Sequence, residues 1–365
     1  MQIIQETISL NNIDMYPFHH PKSVCFFDIE TTGLSAEVSS LYLIGALTLQ
    51  DGCAHLIQWF ADDYESERPV LEAFFDFIKS RTLLVHFNGN GFDIPYLRKK
   101  AARYNIDFPL DSMESMDIYK NFRPYKGLFS LGSIRQKALE ERLGIHRRDI
   151  YDGGQLIKLY SDFMQKKIVN GFPDEDLQRI LLLHNRDDIV CMLSLSVLCM
   201  YPDIFTGNVD TAPLTPEQSD THIRFLLPLG INLPMPLTLR QPLVTLSLEA
   251  GALTLTLSCY QGELKHFFTN VKDYYYLPEE DNAIHKSLAA YVDKGFKEKA
   301  KASNCYTRRR DTFLPFCPDE TLDTFRETVK SKPIFFLKSD AKLDSPQWCS
   351  MYFKHLLQTA FNGNF

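Results

Sequence analysis

Between Leu41 and Phe60 the chain reads LYLIGALTLQDGCAHLIQWF, two apolar runs joined at Asp51-Gly52. That dipeptide accepts positive φ in a tight turn, so residues 41–50 and 53–60 predict an antiparallel hairpin. Residues 23–29 predict a third strand, which completes a meander. A helix is expected over 66–80, with Pro69 near its first turn and Val70, Leu71, Phe74, Phe75 and Ile78 at helical spacing. TLLVHF at 82–87 predicts a short buried strand, and further helices are expected near 92–104, 130–143, 153–166 and 174–200. Antiparallel strands followed by alternating helices and strands specify an α/β layer on a mixed sheet.

After Pro202 the texture changes. The polar stretch TGNVDTAPLTPEQSD at 206–220, with its two prolines, reads as a linker or long connection. Residues 243–249, 252–260 and 263–268 predict a second, smaller meander with turns at Ala250-Gly251 and Gln261-Gly262. Helices are expected near 283–292, 319–330 and 346–360. A chain of 365 residues holds two cored domains, expected at 1–205 and 206–365, the second a smaller α+β domain.

Composition narrows the class. With 45% hydrophobic and 23% charged residues the chain has the balance of a soluble globular protein. No run approaches the 18 apolar residues of a membrane span, and the start, MQIIQETISLNNIDMYPFHHP, lacks the pattern of a signal peptide. The expectation is a cytoplasmic protein with no membrane partner. The eight cysteines form no Cys-x-x-Cys pair and the ten histidines show no zinc spacing. Residues 206–365 carry 18 basic and 18 acidic side chains, so the net charge of −7 comes from the first part of the chain.

Within FFDIETTGL at 26–34, Asp28 and Glu30 are two residues apart and share one face if the strand continues through them. Two charges about 4 Å apart repel by roughly 1 kcal/mol in water and roughly 4 kcal/mol at the dielectric of a protein surface. A proton, a basic side chain or a metal ion would compensate; otherwise the strand ends at Phe27 and both acids sit in a solvated turn. HFNGNGFDIPYL at 86–97 places Asn88, two glycines and Asp93 just after a buried strand. Asp93 there is either a site acid or a helix N-terminal acid favoured by the dipole. In LLLHNRDDIVCM at 181–192, His184 and Asp188 share a helix face and Asp187 is turned about 100° from it. They either satisfy each other in the core or belong to a site.

Together, Asp-x-Glu on a first strand, Asn-x-x-x-Phe-Asp after a fourth and His-x-x-x-Asp on a late helix resemble the three motifs of the DEDD, or DnaQ-like, 3'-5' exonuclease superfamily. That group has the ribonuclease H-like fold, and the chain looks most like its bacterial YprB-type members over residues 20–202. The resemblance implies that Asp28, Glu30, Asp93 and Asp188 hold two divalent ions, and oxygen ligands without a thiolate suit Mg²⁺ or Mn²⁺. It implies His184 as the base acting on the attacking water, with Asp187 the alternative fourth ligand. The x-x-x spacing is that of the superfamily's tyrosine branch, whereas the residue is the histidine of the other branch.

By the same resemblance Thr31, Thr32 and Leu34 meet the terminal nucleotide, and Asn88 and Phe92 line the cleft. Their residue-level alternative is a polar turn and a core phenylalanine. Asp117 is expected to cap a helix or to assist from outside the ligand set.

The implied partner is the 3' end of single-stranded DNA or RNA. KGFKEKAKASNCYTRRR at 294–310 adds seven basic residues, Arg308, Arg309 and Arg310 among them, with Phe296 and Tyr306 interleaved. It is either a nucleic-acid contact or a solvated face. Arg123, Lys126 and Arg135 would flank a phosphate track nearer the acids. The second domain equally suits a protein partner. Two rival functions stand beside the exonuclease: a nucleic-acid-binding module without metal chemistry, and an endonuclease acting on RNA-DNA hybrids.

Overall fold

A computed structural model, which describes residues 1–11, 13–211 and 214–361, divides the chain into two units, Met1–Pro202 and Asp203–Phe365. In the first, β1 (Gln2–Ser9), β2 (Val24–Thr31), β3 (Leu41–Gln50), β4 (Cys53–Phe60), β5 (Leu83–His86) and β6 (Glu114–Asp117) form one sheet in the order β1-β4-β3-β2-β5-β6. β2, β3 and β4 pair antiparallel; β5 runs parallel to β2, and β6 to β5. The hairpin turns on Asp51 and Gly52 at φ of 51° and 78°, as the dipeptide demands. β1 is an edge strand on β4 that the sequence reading did not assign, because Ile3, Ile4 and Ile8 are its only apolar residues.

The helices of this unit are α1 (Glu67–Ile78), α2 (Asp93–Tyr104), α3 (Ile118–Phe122), α4 (Gln136–Arg142), α5 (Gly153–Asn170) and α6 (Glu175–Leu195). α1 presents Val70, Leu71, Phe74, Phe75 and Ile78 to the core, the periodic face expected of it. Every residue of β3 from Leu41 to Leu49 is buried, as in a strand covered on both faces. α6 packs across β2, β3 and β4. It comes so close at Gly45 that a Cβ there would stand 2.1 Å from Asn185 Oδ1 and 2.2 Å from Ile189 Cδ1. Glycine in mid-strand therefore sets how near α6 lies to Asp28, which faces Gly45 in the β2–β3 register.

α6 ends at Leu195 rather than near 200, passing through a 3₁₀ turn, Ser196–Cys199, into α7 (Met200–Thr206). By length and composition the stretch Glu175–Thr206 would suffice to cross a membrane, a match that the reading of apolar runs missed. Its apolar window is 72% buried, as in a core helix.

Among its described residues the second unit holds three sheets. β7 (Glu217–Gln218), β8 (His222–Pro228), β9 (Leu237–Gln241), β10 (Val244–Glu249) and β11 (Ala252–Ser258) form the largest, ordered β7-β8-β11-β10-β9. The turn at Ala250-Gly251 forms with φ of 49° and 73°. β12 (Tyr260–Phe267) runs straight through Gln261-Gly262, so the turn expected there is absent and the third strand of the expected meander joins another sheet. The reason is packing: the Gly262 Cβ position lies 3.0 Å from the Tyr260 ring, so this glycine makes room for a ring.

β13 (Tyr274–Leu277) and β14 (Asn282–His285) pair, and the helix expected over 283–292 shrinks to one turn, α8 (Lys286–Ala289). β15 (Glu298–Lys299) completes that sheet, while β16 (Tyr306–Pro315) and β17 (Phe335–Leu337) complete the sheet of β12. No helix forms over 319–330, because Phe325 is drawn into a cluster with Leu264, Phe313 and Phe335 and bridges Phe335 in β fashion. Tertiary contact there overrides helical propensity. α9 (Pro346–Phe361) forms as expected. In the stretch read as a linker, Thr211 and Leu214 are buried, and 212–213 lie outside the described residues.

Candidate active site

β2 stays extended through Thr31, so Asp28 and Glu30 leave the strand on one face rather than from a solvated turn. Asp28 Oδ2 accepts from Asn185 Nδ2 at 3.0 Å, and Asn185 Oδ1 in turn accepts from Gln58 Nε2 at 2.9 Å. Asp93, the first residue of α2, is buried, and its Oδ1 accepts the Ile29 backbone N–H at 3.3 Å. A strand peptide between the two site acids thus fixes the third.

From α6, His184 Nε2 lies 3.6 Å from Glu30 Oε1 and 3.1 Å from Asp188 Oδ2. The two α6 residues are one turn apart, so the x-x-x spacing brings the ring onto its own acid. The ligand atoms of Glu30, His184 and Asp188 all lie within 4.8 Å of one another. The Arg147 guanidinium takes the other oxygen of Asp188 and lies 3.2 Å from Glu140 Oε2.

The charges are poorly balanced. Burial, with Asp93, Asp188 and Glu30 close by, pushes the Asp28 carboxyl well above its ordinary range. Burial raises Glu30 to about 8, with Asp188, Asp93 and Asp149 adding and His184 opposing. Asp93 rises to about 7, again mainly through burial and against its backbone hydrogen bonds. Burial disfavours a charged His184, but the hydrogen bond and charge of Asp188, with Glu30 and Asp149, outweigh it and lift the imidazole to about 9. Asp188 stays below the usual carboxylate range despite burial, because His184 and Arg147 hold its anion. Carboxylate oxygens in excess, one imidazole nitrogen and no thiolate form a donor set that fits divalent cations. Such ions would offset the repulsion that the proteinaceous cations leave.

Asp187 does not face this set. Its Oδ2 accepts the backbone N–H groups of Arg148 and Asp149 at 2.7 and 2.9 Å, so it brackets a loop. Thr31 Oγ1 donates to Gly33 O and Thr32 Oγ1 accepts from Ser40 N, which closes the 31–40 loop and leaves Leu34 87% exposed at its tip. Asn88 takes φ of 62°, its N–H donating to Asp117 Oδ1 at 3.0 Å. Asp117 also caps α3 through Lys120 N. Phe92 is half-buried against Tyr96.

Arg308, Arg309 and Arg310 lie on β16 in the second unit. Arg308 is 3.6 Å from Glu263 and 3.7 Å from Asp281, and Arg309 is 3.1 Å from Asp311, so two of the three already meet acids. Tyr306 is buried with its hydroxyl on Asp281, whereas Phe296 is exposed. Sequence reasoning missed Asn185, Arg147, Glu140 and Asp149. Asn185 adjoins His184, but Arg147 and Asp149 sit in HRRDIYDGG, where nothing in the spacing separates them from a charged loop.

A family model described as the RNase H superfamily matches residues 25–200. Residues 25–200 form an RNase H-like domain. Asp28 and Glu30 on β2, Asp93 at the start of α2 and the pair on α6 all fall within these residues. Among solved structures the chain is similar to the family B DNA polymerase from the hyperthermophilic archaeon Pyrobaculum calidifontis, with 13% identity and a TM-score of 0.38. The alignment covers 92% of this chain and 45% of that one. No curated protein matches the chain.

Proposed function

We propose that the RNase H-like domain is a metal-dependent nuclease that hydrolyses phosphodiester bonds of single-stranded DNA or RNA from the 3' end. One observation carries the hydrolase reading. Asp28, Glu30, Asp93 and Asp188, from one strand and two helices, raise one another's charge burden in a buried site that His184 and Arg147 only partly relieve. The direction of attack rests on the likeness of this acid set to DEDD exonucleases. Two Mg²⁺ or Mn²⁺ ions held by these carboxylates would supply Lewis acidity and counter-charge for displacement at phosphorus.

The chain's own residues do the rest. Glu30 and Asp188 flank His184 Nε2; their charge holds the metal-free ring protonated, and it becomes a proton acceptor for a water between them once divalent ions take up those carboxylates. As the water oxygen bonds phosphorus, the bond to the leaving sugar oxygen breaks and the water's proton passes to Nε2. Leu34, exposed beside the acid strand, wedges against the terminal base, and Asn88 and Phe92 border the path of the strand. The second unit contributes Arg308, Arg309 and Arg310 to nucleic acid or docks a protein partner. Eight cysteines without a Cys-x-x-Cys pair suit the cytoplasm, where we place the protein.

The test uses 5'-labelled single-stranded DNA and RNA with Mg²⁺, Mn²⁺ or chelator, beside an Asp28→Ala, Glu30→Ala variant. A ladder shortening from the 3' end, absent in the variant and in chelator, is the expected result. Metal-independent binding without cleavage would leave a binding module, and internal cuts confined to hybrid would make it an endonuclease.

A further inference from the structure

Beyond Glu30 the chain leaves β2 through the 31–40 loop, which carries Leu34, and one buried side chain holds that loop from inside. Ser39 Oγ lies 2.6 Å from Ser35 O, 2.9 Å from Gly33 O and 2.9 Å from the Tyr96 hydroxyl. Carbonyls only accept, so the single hydrogen of the serine goes to them and the Tyr96 hydroxyl must donate to Ser39. Lys100 Nζ donates to Ser39 O as well. Tyr96 and Lys100 are one turn apart on α2, the helix whose first residue is Asp93. The loop is therefore tied to both elements that present acids to the site, β2 at its start and α2 along its side. It has little slack, since a Cβ on Gly33 would stand 3.2 Å from Ser39 Cβ. Yet the tip of this pinned loop is Leu34, an aliphatic side chain almost wholly in water.

We propose that Ser39 and Tyr96 are positioning residues that hold the 31–40 loop in its binding conformation, so that Leu34 meets an unpaired 3'-terminal base in fixed register with the acids. The inference deepens the nuclease reading and rests on it for the identity of the strand. One exposed leucine is ordinary on a protein surface. Ordering a loop, however, costs roughly 1–2 kcal/mol per residue in conformational entropy. A loop ordered during folding loses nothing more when the base arrives, whereas a loop freed from α2 must be ordered by the base itself. The loss then falls on binding rather than on the displacement at phosphorus.

The experiment compares the full chain with Ser39→Ala, Tyr96→Phe, Leu34→Ala and the double variants that join Leu34→Ala to each of the first two. Hydrogen exchange should show 32–40 protected in the wild type and about ten-fold faster in Ser39→Ala and Tyr96→Phe, with β2 and β3 unchanged. A single-stranded oligonucleotide with phosphorothioate links at its 3' end, titrated in Mg²⁺ by fluorescence anisotropy, gives Kd with little turnover. Kd should rise about ten-fold in Ser39→Ala and less in Tyr96→Phe, while their kcat on the unmodified oligonucleotide stays within about two-fold of wild type. A pair with a merely structural role adds its cost to any variant. A pair that acts through Leu34 should add less than about two-fold once Leu34 is alanine. Additive losses overturn the proposal, as does free exchange of 32–40 in the wild type or a kcat that falls in step with binding. If Ser39→Ala does not fold, Tyr96→Phe carries the same comparison. A wild type that binds the oligonucleotide but cleaves nothing defeats the nuclease reading instead, and the Kd values still decide the roles of Ser39 and Tyr96. One that binds no oligonucleotide defeats both.

Discussion

Two buried carboxylate clusters sit within the first unit, and they are built to opposite plans. Glu67 on α1 is surrounded by partners: Lys100 Nζ at 2.7 Å, the Leu41 N–H at 2.7 Å and the Tyr104 hydroxyl. Lys100 is fully buried and also donates to Ser39 O, so one cation ties α1, α2 and the start of β3 around one anion. At Asp28, Glu30, Asp93 and Asp188, four carboxylates share His184, Arg147 and a few amides. Burial of an acid is therefore no sign of function by itself. The sign is burial without enough positive charge, a deficit that a proton or a ligand makes good.

The sharpest way to break this contrast is Lys100→Met. It leaves Glu67 buried and short of its cation, so the protein should lose about 3–5 kcal/mol of stability in urea denaturation. Glu67→Gln in that background should recover part of the loss. If Lys100→Met unfolds no earlier than wild type, the two clusters are not opposites.

Gly45→Ala comes next in size and acts on the other cluster through packing. The new methyl must displace Asn185 or Ile189, at a cost of about 1–3 kcal/mol. Because Asn185 holds Asp28, this variant should also weaken divalent-ion binding, which Lys100→Met in its folded state should leave intact. Calorimetric titration with Mn²⁺ separates them.

How much of this could be read from the chain alone depends on range. The hairpin at Asp51-Gly52 and the shared face of Asp28 and Glu30 follow from local geometry, and both were legible. Lys99 and Lys100 show the limit. They are neighbours of one type, yet Lys99 is exposed and pairs with Glu37 while Lys100 is buried. Helix phase distinguishes them, since Lys100 follows Tyr96 and Leu97 by four and three residues, but nothing local names Glu67 as its partner. Asp149 was invisible for the same reason: its loop acquires meaning only when Asp187 brackets it against α6. The helix expected over 319–330 failed because Arg326 bridges Lys265, far back along the chain, and Phe325 bridges Phe335.

Asp28→Asn reverses the sign of the first experiment. Removing one of several crowded like charges should stabilise the metal-free protein by about 1 kcal/mol while abolishing activity. Saturating Mn²⁺ at a hundred times its Kd should stabilise wild type by about 2.7 kcal/mol and the variant by much less. A destabilised Asp28→Asn would mean that the Asn185 bond, not charge repulsion, governs that carboxyl.

The smallest effect is expected two residues before Lys100 on the same helix. Arg98 grips both oxygens of Asp111 as closely as Lys100 grips Glu67, but the two side chains are 50% and 59% exposed. Water already solvates both charges, so separating them leaves no buried ion behind. Arg98→Ala should leave the melting temperature within error of wild type at ordinary salt, beside the large drop for Lys100→Met. Equal drops would show that the geometry of an ion pair, rather than the water excluded from it, sets what its loss costs in this fold.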